Sequence, residues 1–155
     1  MGIFSRKIII VSPCNGIFKN LQDVNDPVFS KGLAGVGFAI SPVDGKMYAP
    51  VDGIISMIFP TGHALGIKDK KGIEYLIHMG IDTVKLKGEG FKTVVKENQS
   101  VRKGDVISYV DLDLIKNYGL LTDVLVVVTN HKEICIKKNL AEVKVGDEIA
   151  YIENV

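Results

Sequence analysis

Apolar residues in this chain fall in short runs rich in Ile and Val. The clearest are Lys7 to Val11, Phe38 to Ile40, Gly53 to Phe59, Ile73 to Ile77, Leu125 to Thr129 and Glu148 to Ile152. Turn-forming residues separate them throughout: Pro13/Gly16, Asn25-Asp-Pro27, Gly35/Gly37, Asp44-Gly45, Asp52-Gly53, Pro60/Gly62, Lys71-Gly72, Gly88/Gly90, Gly104 and Gly146. Short strands at that spacing predict an all-β chain, an antiparallel β-sandwich or barrel-sandwich hybrid, rather than βαβ units. No segment sustains the helical period, and helix is expected only as one or two short turns. Asp111 to Gly119 has an acidic start and a glycine stop, and Asn20 to Ser30 has room for a second turn interrupted by Pro27. Val101-Arg-Lys-Gly-Asp-Val-Ile107 and Val143-Lys-Val-Gly-Asp-Glu-Ile149 echo each other, and both read as structural turns entering a strand. Residues 1–155 are expected to form one domain, with 1–7 as a short N-terminal tail.

The strand periodicity is most informative around His78. Tyr75, Ile77, Met79 and Ile81 share one face and are wholly apolar, so that face belongs to the core. Leu76, His78, Gly80 and Asp82 share the other, which must meet solvent or a shallow depression. Upstream, Thr61, His63, Leu65 and Ile67 alternate with Gly62, Ala64 and Gly66. The polar run Lys68 to Gly72 between the two segments suits a hairpin turn, so antiparallel pairing would make His63 and His78 neighbours. Thr61 is placed to bond a ring nitrogen of His63 and set its tautomer. His131 lies in a polar turn with no partner group and is expected to be exposed.

Composition narrows the partners. With 19 basic and 18 acidic residues the net charge is +1, which argues against nucleic acid as the main partner. The run Ile8 to Val11 is too short for a signal sequence or a membrane span, and a cytoplasmic chain without stable membrane insertion is expected. Cys14 and Cys135 are too few for a disulfide scaffold and are read as reduced thiols with no assigned role; no Cys/His zinc spacing is present.

Paired imidazoles leave several chemistries open. A nucleophile elbow is missing, which weakens acyl transfer. His63 and His78 could hold a metal, with Asp82 as a candidate further ligand. A neutral imidazole can also act as a nucleophile and accept a phosphoryl group, while a second, protonated ring donates to the phosphoryl oxygens. A biotinyl- or lipoyl-type carrier, presenting Lys70 or Lys71 on the hairpin, shares the Ala49-Pro-Val-Asp-Gly53 turn.

Taken together, Ala49-Pro-Val-Asp-Gly53, Phe59-x-Thr61-x-His63-Ala, Leu76-Ile-His78-Met-Gly-Ile-Asp-Thr-Val84, Leu86-Lys-Gly-Glu-Gly-Phe91 and the Val101-x-x-Gly-Asp turn resemble the glucose-type enzyme IIA of the bacterial phosphoenolpyruvate-dependent sugar phosphotransferase system. The motifs run in family order from about Ile8 to Ile152. The resemblance implies an antiparallel β-sandwich with a shallow apolar depression, working as a monomer. It implies that His78 takes phosphate from the phosphocarrier protein HPr, that His63 steadies the phosphoryl group, that Thr61 bonds His63, and that Asp82 belongs to the site. The acceptor would be a cysteine of the IIB domain of a sugar permease. Val28, Phe29, Leu33, Phe59 and Val84 would join Leu76 as a docking surface. No cofactor is required on this reading, and zinc at His63 and His78 is confined to a partner interface. Ala34 and Val36 stand where some relatives carry a larger apolar and an acidic residue.

Overall fold

A computed structural model describes residues 6–153. Its strands are β1 (Lys7–Val11), β2 (Gly16–Asn20), β3 (Val36–Pro42), β4 (Lys46–Tyr48), β5 (Gly53–Ile58), β6 (Ala64–Lys68), β7 (Glu74–Met79), β8 (Phe91–Thr93), β9 (Ser100–Val101), β10 (Val106–Val110), β11 (Val124–Val128), β12 (Cys135–Ile136), β13 (Glu142–Val143) and β14 (Glu148–Glu153). Helix is limited to α1 (Pro27–Ser30), α2 (Leu112–Asn117) and 3₁₀ turns at Leu21–Asp23 and Thr83–Leu86. An eight-stranded sheet runs β13-β2-β3-β11-β7-β6-β5-β9, and two three-stranded sheets run β1-β14-β12 and β4-β10-β8. The described pairings are antiparallel, as the all-β reading requires.

The two short helices begin where their sequences direct. The Asp111 side chain accepts from Leu114 N at the start of α2, and Asp26 accepts from Val28 N at the start of α1, with Pro27 in the first turn. Both echo motifs are turns in which Asp105 and Asp147 accept an amide three residues back, and Gly104 and Gly146 take positive φ. The tail ends earlier than expected: Lys7 already pairs with Glu153 in β1, and residues 1–5 lie outside the described residues.

Strand β11 has apolar residues at all five positions because it is covered on both faces. Val124, Val126 and Val128 enter the main core with Tyr75, Ile77 and Met79, as the β7 period predicts. Leu125 and Val127 enter a smaller cluster with Leu21, Val24, Phe29, Ala39 and Ile81, against which Ala34 and Leu76 pack. The face bearing Leu76 and His78 is thus partly roofed by the α1 region, not simply open to solvent. Ile81 joins this second cluster and not the main core, because the strand ends at Met79.

Ile77 is wholly buried, so Ile77→Ala is expected to lower stability by about 2–5 kcal/mol. Val84 is 53% exposed, and Val84→Ala is expected to change it by less than about 0.5 kcal/mol. Urea unfolding of both variants measures the contrast.

Candidate active site

The β6–β7 hairpin forms in the register Ala64↔His78, Leu65↔Ile77, Gly66↔Leu76, Ile67↔Tyr75 and Lys68↔Glu74. His78 therefore faces the small Ala64 across the ladder. Strict alternation from Leu65 and Ile67 would turn His63 inward, onto the face opposite His78. The chain avoids this because β6 begins only at Ala64. Pro60 to His63 form a turn, held by Phe59 N donating to Ala64 O (3.0 Å) and Gly62 N donating to Phe59 O (2.7 Å). The expected strand face of Thr61, His63, Leu65 and Ile67 is corrected accordingly: Leu65 and Ile67 are core, while Thr61 and His63 belong to the turn. His63 stays anchored to the sheet, since Met79 N donates to its carbonyl (2.8 Å).

From that turn the His63 ring meets His78, centroid to centroid 5.1 Å, with the planes at 76°. Phe59 stands edge-on to His63 at 5.1 Å, and Phe29 edge-on to His78 at 5.0 Å. Four rings thus run in sequence, Phe59, His63, His78 and Phe29. His63 is 4% exposed; His78 is half-buried.

Each ring has one nitrogen already engaged. His78 Nδ1 lies 2.7 Å from the Gly80 carbonyl oxygen. A carbonyl can only accept, so the proton sits on Nδ1 and the lone pair on Nε2. Gly80 can present that carbonyl because its φ is +83°, where a Cβ would also lie 2.4 Å from the Thr83 methyl group. Thr83 is itself buried and donates to Met79 O at 2.7 Å. Thr61 Oγ1 bonds His63 Nδ1, and with the hydroxyl donating, the His63 proton lies on Nε2.

Burial, and then the adjacent His78 ring, push the His63 pKa down to about 4. Burial also lowers His78, opposed by the Gly80 bond and by Asp26 and Asp82. Both rings are neutral at pH 7. The expectation of a protonated His63 is therefore corrected for the free protein: the ring donates as neutral imidazole.

Asp82 does not extend the His78 face. Gly80 turns the chain, and Asp82 takes φ +59° ahead of the Thr83–Leu86 turn, exposed and 3.9 Å from Lys85 Nζ. It acts on His78 through space, after Asp26, and contacts neither ring by a described hydrogen bond. Asp26 was not among the expected site residues; its signal was the Asp-Pro pair that starts α1. Val28, Leu33 and Val84 are exposed, Phe59 and Leu76 half-buried. Phe29, expected on the docking surface, is buried, because its ring forms the wall behind His78. His131 is half-buried rather than exposed. Among the described residues no group of three His, Cys, Asp or Glu side chains is placed to hold a metal, so His63 and His78 supply two ligands and Asp82 does not complete a site. Cys14 is buried, its thiol pushed up to about 12 by burial and then by Asp44; Cys135 is exposed, and both are free.

An all-β face that holds two neutral imidazoles at ring contact, one of them half-buried, is suited to carrying a group between proteins. The family model described as phosphoenolpyruvate-dependent sugar phosphotransferase system, EIIA 1, matches residues 8–134. The chain is 41% identical over 160 residues to the PTS system glucose-specific EIIA component of Haemophilus influenzae, covering 96% of each. It also matches the glucose-specific EIICBA component of Staphylococcus carnosus at 41% identity, over 94% of this chain and 22% of that longer protein. The solved glucose permease IIA from Mycoplasma capricolum superposes with a TM-score of 0.89 at 38% identity, covering 97% of this chain and 99% of that one. The chain belongs to the EIIA 1 family of the sugar phosphotransferase system, a family of phosphoryl-carrying phosphotransferases. These likenesses give no support to a biotinyl or lipoyl carrier; Lys70 and Lys71 are exposed at the far end of the hairpin from the histidines.

A histidine whose pKa is lowered by folding adds stability above its unfolded value, near 6.5, and loses it as pH falls toward the folded value. Stability is therefore expected to drop between about pH 6.5 and 4. His63→Gln is expected to flatten that slope in chemical denaturation at a series of pH values, and ring NMR titration of the parent protein is expected to place His63 near pKa 4.

Proposed function

We propose that this chain takes a phosphoryl group from HPr onto Nε2 of His78 and passes it to the cysteine of a IIB domain of a glucose-family sugar permease, coupling phosphorylation to sugar uptake. The observation that carries the proposal is the commitment of the His78 Nδ1 proton to Gly80, which leaves the Nε2 lone pair free beside His63. In the first step that lone pair attacks phosphorus, the new N–P bond forms, and the bond from phosphorus to the donor breaks with its electron pair leaving on the donor. The His78 ring then carries substituents on both nitrogens and a positive charge, which its Nδ1–H shares with the Gly80 carbonyl in a charge-assisted bond. In the second step a cysteine thiolate attacks phosphorus and the N–P electrons return to Nε2.

His63 has a separate task. Its Nε2–H is available to donate to the phosphoryl oxygens, and the incoming negative charge raises the proton affinity that burial had lowered. Thr61 keeps that proton on Nε2. The exposed Val28, Leu33 and Val84, with half-buried Leu76 and Phe59, form an apolar rim that a partner can cover, excluding water from the labile N–P bond. On this reading the protein acts in the cytoplasm as a single-domain monomer and needs no cofactor. Zinc would bind only where a partner adds ligands to the two Nε2 atoms. No helix among the described residues is long and apolar enough to cross a membrane.

Incubation with phosphoenolpyruvate, enzyme I and HPr is expected to add one acid-labile, base-stable phosphate, and His78→Ala is expected to abolish it; unchanged labelling in that variant would overturn the assignment. His63→Gln should still bind HPr but slow onward transfer on the order of 10²–10³-fold, the usual loss for one preorganised donor. Stopped-flow transfer to a IIB domain reads this, and a normal rate would remove His63 from the mechanism.

A further inference from the structure

Lys19 and Asp123 form an ion pair that the transfer chemistry does not use. Lys19 Nζ lies 2.9 Å from Asp123 Oδ2, and the two are 104 residues apart in sequence. The Asp123 side chain is 7% exposed and that of Lys19 35%, so the carboxylate is enclosed while the ammonium still reaches solvent. The β-register places it beside the site. Lys19 opposes Ala39, Ala39 opposes Leu125, and Leu125 opposes His78, so Lys19 and His78 occupy one transverse row on one face of the sheet. Asp123 lies just before β11, and its carboxylate reaches that face, where it meets Lys19.

The residues leading into β11 make the connection. Leu120 to Asp123 belong to no strand, yet their carbonyls hold the turn behind His78. Gly80 N donates to Asp123 O at 2.9 Å and Ile81 N donates to Leu121 O at 3.0 Å. Gly80 then accepts from His78 Nδ1. The described tethers of this segment on its other side are Leu120, which packs against the main core and whose amide donates to Ile115 O, and the Asp123 carboxylate on Lys19. Between them lie Leu121 and Thr122, with Leu121 43% exposed.

We propose that Lys19 and Asp123 are positioning residues for His78: their ion pair holds the Leu120–Asp123 segment against the Gly80 turn, and through the Gly80 carbonyl it keeps the His78 proton on Nδ1. The proposal rests on His78 being the phosphoryl carrier. Removing Lys19 leaves the buried Asp123 carboxylate uncompensated, which draws water, and neutralising Asp123 loosens its hold on the partly exposed ammonium; either change frees the segment. The Gly80 carbonyl then departs from the ring, and the proton distributes over both nitrogens.

The test is made on the full chain, without any phosphoryl donor, by long-range proton–nitrogen NMR of the histidine rings. The parent protein is expected to show His78 as the Nδ1–H tautomer alone. Lys19→Met and Asp123→Asn are expected to show a tautomer mixture and faster hydrogen exchange at the Gly80 and Ile81 amides. The charge-swapped Lys19→Asp/Asp123→Lys protein is expected to recover the single tautomer. In transfer assays the single variants are expected to lose roughly tenfold in kcat, the lower end of what orienting residues supply, with KM for HPr nearly constant. A folded single variant that keeps the Nδ1–H tautomer and parental amide exchange overturns the proposal. Should Lys19→Met not fold, Asp123→Asn alone decides, since it preserves shape. Because the tautomer is read without a donor, failure of phosphate labelling at His78 is a separate result that tells against the proposed function.

Discussion

The bond from His78 Nδ1–H to the Gly80 carbonyl, 2.7 Å long, is the interaction on which the site depends. It decides which nitrogen carries the free lone pair, keeps the ring from turning and, on the proposed function, leaves a partner for the charge that a phosphoryl group on Nε2 would create. Nothing about it is independent of the fold. The carbonyl points back at the ring because Gly80 takes a left-handed conformation, packed against Thr83 where a side chain would collide. Its amide in turn is held by the carbonyl of Asp123, the residue just before β11. A single hydrogen bond is worth little in stability, about 1 kcal/mol, but here it selects between two tautomers with different reactivity.

Burial and openness are balanced differently at the two histidines. His63 is almost wholly enclosed, flanked by Phe59 and bonded by Thr61, which suits a ring that must hold one orientation and donate from one nitrogen. His78 is half-buried, walled by Phe29 and held by Gly80, and keeps access to the surface. Two cationic imidazoles at this separation would repel, and burial lowers the proton affinity of both, so the free protein holds them neutral. On the proposed function, a phosphoryl dianion arriving between them would reverse that balance.

Particular elements show where sequence reading succeeds. The runs at Lys7–Val11 and Gly53–Phe59 became β1 and β5 almost residue for residue, because continuous Ile/Val stretches bounded by turns have few other stable arrangements. The period of Tyr75, Ile77 and Met79 correctly marked the core face. Strands β4, β8, β9, β12 and β13 were not legible, being two or three residues long and specified by their neighbours rather than by their own pattern. Strand β2 was hidden by the polar Lys19 and Asn20 at its end, although Lys19 has a defined partner. Asp82 was placed on the wrong footing because alternation was carried past Gly80, where the strand had already ended.

The chain's own residues therefore determine the all-β class, the pairing of β6 with β7, and the presence of two histidines and a threonine near one end of that hairpin, since local turn chemistry and two-residue periodicity are short-range properties. They do not determine that the rings meet. That required the Pro60–His63 turn to free His63 from the inward face and α1 to bring Phe29 against His78, while the residues before β11 hold the Gly80 amide. The contacts of Phe29 with His78 and of Asp123 with Gly80 join residues tens of positions apart, and periodicity along one strand carries no information about which distant backbone will close around it.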